Sequence, residues 1–187
     1  MRIARSSVMK RCLLLAAWSI GGMFSFGVAG AAPISGHVVA VADGDTVTLL
    51  DSEHHQYRIR VAGIDAPERK QDFGDLSRMS LSALVLNRDV DVIGEKIDRY
   101  GCRVGKIMTA DPSCEFATCP RTLDAGLVQI KNGMAWWYRQ YAKEQSFEDR
   151  ATYEQAEIEA RLKLRGLWIT SSPAPPWEWR NNKRHRQ

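Results

Sequence analysis

Residues 56–68 read Gln56-Tyr57-Arg58-Ile59-Arg60-Val61-Ala62-Gly63-Ile64-Asp65-Ala66-Pro67-Glu68, and the fold turns on this stretch. Tyr57, Ile59, Val61 and Gly63 alternate with Arg58, Arg60 and Ala62, the period of two of a half-buried strand, so both arginines share one face. Upstream, residues 37–42 and 46–51 are short runs rich in Val, Thr and Leu, cut by Asp43-Gly44 and by residues 52–55. The three runs predict a meander. Downstream, Leu76, Met79, Ser80, Ala83 and Leu84 recur at intervals of three and four, which predicts an amphipathic helix over 76–87. Residues 89–93 and 103–109 read as two more strands joined by a turn at 98–101. A short helix over 123–131 is stopped by Asn132-Gly133, and Ser146 with Glu148 and Asp149 caps a last helix that ends near Arg165-Gly166. Three strands, a helix, two strands and two helices define an α+β class. A five-stranded OB-fold β-barrel with three helices is the economical way to remove the sheet edges.

Two terminal segments stand apart from this domain, which spans 32–169. Arg2, Arg5, Lys10 and Arg11 precede an apolar run from Cys12 to about Ala29, and Ala29-Gly30-Ala31 offers small residues for cleavage, so 1–31 reads as a signal peptide. An uncleaved anchor is the alternative, the run being about long enough to span a bilayer. With the leader set aside, 22 Lys and Arg face 22 Asp and Glu, so no overall basic balance argues for nucleic-acid binding. A hydrophobic content of 44% and a charged content of 26% exclude a disordered or multispan chain. Cys114 and Cys119 enclose a short loop and are the first choice for a disulfide in an oxidising compartment, with Cys102 as an alternative partner for either. From residue 170, Pro173, Pro175 and Pro176 predict an extended tail, and Trp177, Trp179 and the basic residues Arg180, Lys183, Arg184 and Arg186 follow. That tail reads either as a strap over the barrel or as an arm that holds a polynucleotide.

Chemistry concentrates where the strands end. Asp43-Gly44-Asp45-Thr46 and Asp65-Ala66-Pro67-Glu68 become neighbours in a meander, and Arg60 stands five residues before the second cluster. Gathered carboxylates repel one another unless a cation lies between them, and hard oxygen donors suit Ca²⁺ or Mg²⁺.

With Asp98-Arg99-Tyr100-Gly101, Gly126-Leu127-Val128, Asn132-Gly133-Met134-Ala135 and Arg165-Gly166-Leu167-Trp168, these motifs resemble the thermonuclease, or staphylococcal-nuclease-like, family over about residues 36–168. The resemblance implies the OB barrel with three helices and a Ca²⁺-dependent phosphodiesterase that cuts DNA and RNA to leave 3′-phosphate and 5′-hydroxyl ends. It implies Asp45, Asp65 and the Ala66 carbonyl as Ca²⁺ ligands, Glu68 as general base, Arg60 as phosphate-holding catalytic residue, and Tyr100 and Tyr141 as the lining of a nucleotide pocket. One departure is plain. The family places a second catalytic arginine directly after Tyr-Gly, where this chain has Cys102, and the arginine is Arg103. A bulge could restore Arg103 to the role; otherwise Arg99 or nothing fills it. The expectation is therefore an exported, monomeric nuclease without stable membrane association, secreted or periplasmic. A noncatalytic OB module that binds single-stranded nucleic acid or a protein is the alternative.

Overall fold

The computed structural model describes residues 34–98, 100–114, 116 and 118–184. The signal-peptide reading of 1–31 and the Arg99 alternative lie outside these residues. Strands β1 (Ile34–Val41), β2 (Thr46–Leu50) and β3 (Gln56–Val61) form the expected antiparallel meander, with Val47 opposite Ile59 and Thr46 opposite Arg60. A two-residue strand β4 (Ile64–Asp65) and helix α1 (Gly74–Val85) follow, then β5 (Asp89–Ile97) and β6 (Arg103–Thr109). β1 pairs with β5, β5 with β6, and β6 returns beside β3 in parallel, so five strands close on themselves and leave no free edge between them. The barrel is therefore mixed. Its interior is apolar: Val38, Val47, Leu49, Ile59, Val90, Val92 and Ile107 are all buried.

Helices cover the barrel. β7 (Leu123–Asp124) leads into α2 (Ala125–Lys131), whose first turn is capped by the Asp124 side chain accepting from the Leu127 N–H at 3.2 Å. β8 (Trp136–Trp137) pairs with β4, opposing Trp136 to Asp65. Helix α3 (Phe147–Leu162) starts at Ser146, whose hydroxyl accepts from the Asp149 N–H at 3.0 Å, the cap read from the sequence. Adjacent tryptophans on β8 face opposite ways, as strand parity requires. Trp137 joins the barrel core, while Trp136 packs with Ala160, Leu167 and Trp168 in a second apolar cluster.

The tail departs from its expected extended form. Residues Pro176–Arg184 form a helix, α4, so the described residues hold four α-helices and two short 3₁₀ segments rather than three helices. The prolines end at the first helical position, where a missing N–H costs nothing and the fixed φ suits the helix; they initiate α4 rather than forbid it. Cys114 and Cys119 are disulfide-bonded and Cys102 is a buried free thiol, in line with the first of the pairings considered. Among the described residues no helix is long and apolar enough to cross a membrane.

Candidate active site

The cleft is built at one mouth of the barrel, where the β1–β2 turn, the end of β3 and the loop after β4 meet. Thr46 lies opposite Arg60 across the β2–β3 ladder, and the Val61 N–H donates to the Asp45 carbonyl at 2.8 Å, so pairing alone carries Asp45 to Arg60. Gly44 makes the approach possible. A Cβ there would fall 1.8 Å from Ser77 Oγ on α1 and 2.8 Å from Ala66 Cβ. Buried Gln129 on α2 ties this turn down by donating to the carbonyls of Gly44 at 2.9 Å and Ser77 at 3.0 Å.

The resulting cavity, about 350 Å³, is lined by Asp43, Asp45, Thr46, Arg58, Arg60, Ala66, Pro67, Glu68, Asp98, Tyr100 and Cys102. Asp45 is 4% exposed; it accepts from Thr46 Oγ1 at 2.8 Å and from the Ala66 N–H at 3.1 Å, which orients both carboxylate oxygens. Asp65 is fully buried beneath it. Arg60 Nη2 reaches between the two carboxylates, 3.3 Å from Asp65 Oδ1 and 3.6 Å from Asp45 Oδ2. The structure brings Asp45, Asp65, Ala66, Arg60 and Glu68, which the sequence singled out, into one cluster.

A fourth carboxylate and a second arginine join them. Asp43 accepts from the Asp45 N–H at 3.1 Å, and burial together with the Asp45 charge pushes it up to about 7. Arg180, from α4, donates through Nη2 to Asp65 Oδ2 at 2.6 Å and through Nη1 to Asp65 Oδ1 at 3.1 Å and Glu68 Oε1 at 2.9 Å. Burial pushes Asp65 up to about 6 although both arginines pull it down. Arg60 is held above its ordinary value, chiefly by Asp45. Burial opposes the charge on Arg180, yet its bonds to Asp65 and Glu68 raise it overall. The sequence showed Arg180 only as one of several basic residues of the tail, not as a member of the site, because the tail read as standing apart from the domain. The Trp177-x-Trp179-Arg180 spacing, set one turn apart on a helix, was the signal that could have found it.

Two other expected residues lie elsewhere. Arg103 is beside Ile59 in the parallel β3–β6 pair, and its guanidinium stands 5.2 Å over the Tyr57 ring, on the face opposite Arg58 and Arg60. Cys102 lines the cleft in its place. A bulge exists, but it falls in β5 around Gly94, where φ is 138°, and leaves the Arg103 face unchanged. Tyr100 is at the cleft and largely exposed, whereas Tyr141 packs edge-on against Tyr138 at 5.1 Å with Lys96 Nζ 4.7 Å above its ring.

The donor set suits a hard divalent cation. Among the described residues no three His, Cys, Asp or Glu side chains form a metal cage, but two carboxylates and a backbone carbonyl were the expected ligands. Asp45 and Asp65 are buried oxygen donors, and half-buried Asp43 beside them is raised by burial and by the Asp45 charge, the mark of carboxylates crowded together. A buried acidic cluster with a guanidinium fork, open to solvent at a barrel mouth, has the charges that a phosphodiester-cleaving hydrolase needs.

Comparison with known proteins agrees with the geometry. The profile described as Staphylococcal nuclease homologue matches residues 58–170. An uncharacterised endonuclease of Escherichia coli O157:H7 is 36% identical over 152 residues, covering 81% of this chain and 88% of the relative. A micrococcal nuclease of Shigella flexneri is 36% identical over 149 residues, covering 80% and 82%, and the staphylococcal-like nuclease CAN1 of Arabidopsis thaliana is 34% identical over 151 residues, covering 79% and 42%. The chain belongs to the staphylococcal nuclease family, and it is a nuclease acting on nucleic acid.

Proposed function

We propose that this nuclease is exported and Ca²⁺-dependent, and that it hydrolyses DNA and RNA to 3′-phosphate and 5′-hydroxyl ends. The observation that carries the reading is the convergence of Asp45, Asp65 and Glu68 around the Arg60 fork at the mouth of the barrel. Asp45, Asp65 and the Ala66 carbonyl would hold the cation, which when bound supplies positive charge to the nonbridging phosphate oxygens. Arg60 binds two of those oxygens through its planar fork, a geometry a lysine ammonium cannot reproduce. Glu68, at the solvent side of the cleft, accepts the proton of the attacking water at its carboxylate. Tyr100 offers a ring for base stacking, which tolerates any base and either sugar.

Export is supported by the charged-then-apolar leader and by the Cys114–Cys119 disulfide, a bond that persists in oxidising compartments. The same reading makes the enzyme a monomer in periplasm or medium. The test is incubation of the purified domain with single-stranded DNA and RNA in Ca²⁺, in Mg²⁺ and in chelator, with end-group analysis. Cleavage only with Ca²⁺ and 3′-phosphate ends is expected. Binding without cleavage in every condition would return the chain to a noncatalytic module.

A further inference from the structure

Arg180 stands at the catalytic cluster without belonging to the barrel. The tail is fastened to the domain just ahead of it. Gln71 Nε2 donates to the Ala174 carbonyl at 2.5 Å, Pro176 is buried, and Trp177 stacks on Tyr138 with ring centroids 5.5 Å apart and meets Trp136 edge-on at 6.4 Å. Arg180 follows Trp177 by three residues and so leaves α4 on the same face, toward the barrel. Its fork takes both oxygens of Asp65 and, through the shared Nη1, one oxygen of Glu68. Asp65 is fully buried while the Glu68 side chain is 38% exposed, so the guanidinium links a buried carboxylate to one that faces solvent.

We infer that Arg180 is a positioning residue of the hydrolysis: from the C-terminal helix it fixes the Glu68 carboxylate against Asp65 and is the standing counter-charge of the cluster. The inference rests on the nuclease reading of the same cleft. Three features support it. The fork makes three bonds, which a surface arginine free in solvent does not do. Arg103 lies on the opposite face, leaving Arg180 as the guanidinium nearest Glu68 among the described residues. Finally, the contact spans 112 residues of sequence, so α4 completes the centre only when the chain is fully folded.

The role has a signature that a scaffold lacks. Arg180 repels a divalent cation sharing Asp65, so removing it should tighten cation binding; it also orders Glu68, so removing it should slow turnover. Arg180→Ala is expected to bind Ca²⁺ about three- to tenfold more tightly by calorimetry. The same variant should lose about 10- to 100-fold in kcat on single-stranded DNA, with KM within about threefold. Arg180→Lys keeps the charge but cannot span two carboxylates. Its Ca²⁺ affinity should stay within about threefold of the parent while kcat still falls about tenfold or more. Should kcat of both variants stay within about twofold of the parent, or should Ca²⁺ affinity and kcat fall together in both, the inference is overturned. A parent protein that cleaves nothing would instead sink the nuclease reading itself.

Discussion

Arg60 is placed by strand pairing, and its chemistry follows from the shape of its head group. Nη2 faces Asp65 and Asp45 within 3.6 Å while the side chain remains one-third exposed, leaving the rest of the fork open to a phosphate. Arg60→Lys should therefore cost about 10² or more in kcat on denatured DNA, because one ammonium cannot grip two oxygens and hold the cluster at once. A near-normal kcat would refute the assignment. Gly44 makes a separate structural claim. Its missing Cβ leaves room for Ser77 Oγ, so Gly44→Ala should destabilise the domain by about 2 kcal/mol or more, measured by urea unfolding. These residues were legible in the sequence because turn dipeptides and acidic clusters carry their geometry locally. The Arg103 face was harder to read, since a single-residue register choice reverses a side chain and no local preference sets it. The structure resolves it through the Ile59–Arg103 and Arg60–Val104 pairs, which put Arg103 with Tyr57 and away from Arg60.

At the scale of elements, the meander, α1, β6 and α3 follow from periodicity and caps, whereas short strands and the tail do not. β4 and β8 have two residues each, too few for any period to register, yet they oppose Asp65 to Trp136 and so fix the backbone at Asp65. Buried Glu157 on α3 ties β8 down by accepting from the Trp137 N–H at 3.2 Å and from Arg139 Nη1 at 2.8 Å. The proline-rich tail was misread because proline argues against a helix interior but in favour of a helix start, and the sequence offers both positions. Since α4 docks through Trp177, removing that ring should act at a distance. Trp177→Ala is expected to lower stability by about 2 kcal/mol and, by loosening α4, to reduce kcat as Arg180→Ala does. Truncation after Ser172 gives the stronger form of the same test, with a lower melting temperature expected in differential scanning calorimetry. A truncated chain with unchanged melting temperature and kcat would show that α4 is only an appendage.

For the molecule as a whole, the cluster makes stability depend on both pH and cation. Asp65 is raised to about 6 and Asp43 to about 7, against ordinary values near 4 in the unfolded chain. Between about pH 4 and pH 7 the folded state then holds protons that the unfolded state has released, so stability must fall as pH rises through this window. The sign is opposite to that of Asp51, which accepts from the His55 N–H, Tyr57 Oη and the Glu53 N–H; these bonds hold it below its ordinary value and contribute stability lost only in stronger acid. A divalent cation acts on the same carboxylates in the other direction, because it binds their charged forms and binds only the folded state. At 100 times its dissociation constant it should add about 2.7 kcal/mol. For a domain of this size that corresponds to a rise in melting temperature of about 5–10 °C. Melting curves in chelator from pH 4 to pH 7 should therefore descend, and the same series with saturating Ca²⁺ should flatten or rise, the gap widening toward pH 7. Asp45→Asn combined with Asp65→Asn should abolish the difference between the two series, since the double variant has neither the buried charges nor the ligands. If Ca²⁺ raises the melting temperature of that double variant as much as that of the parent, the stabilising ion binds elsewhere and the cleft is not the cation site.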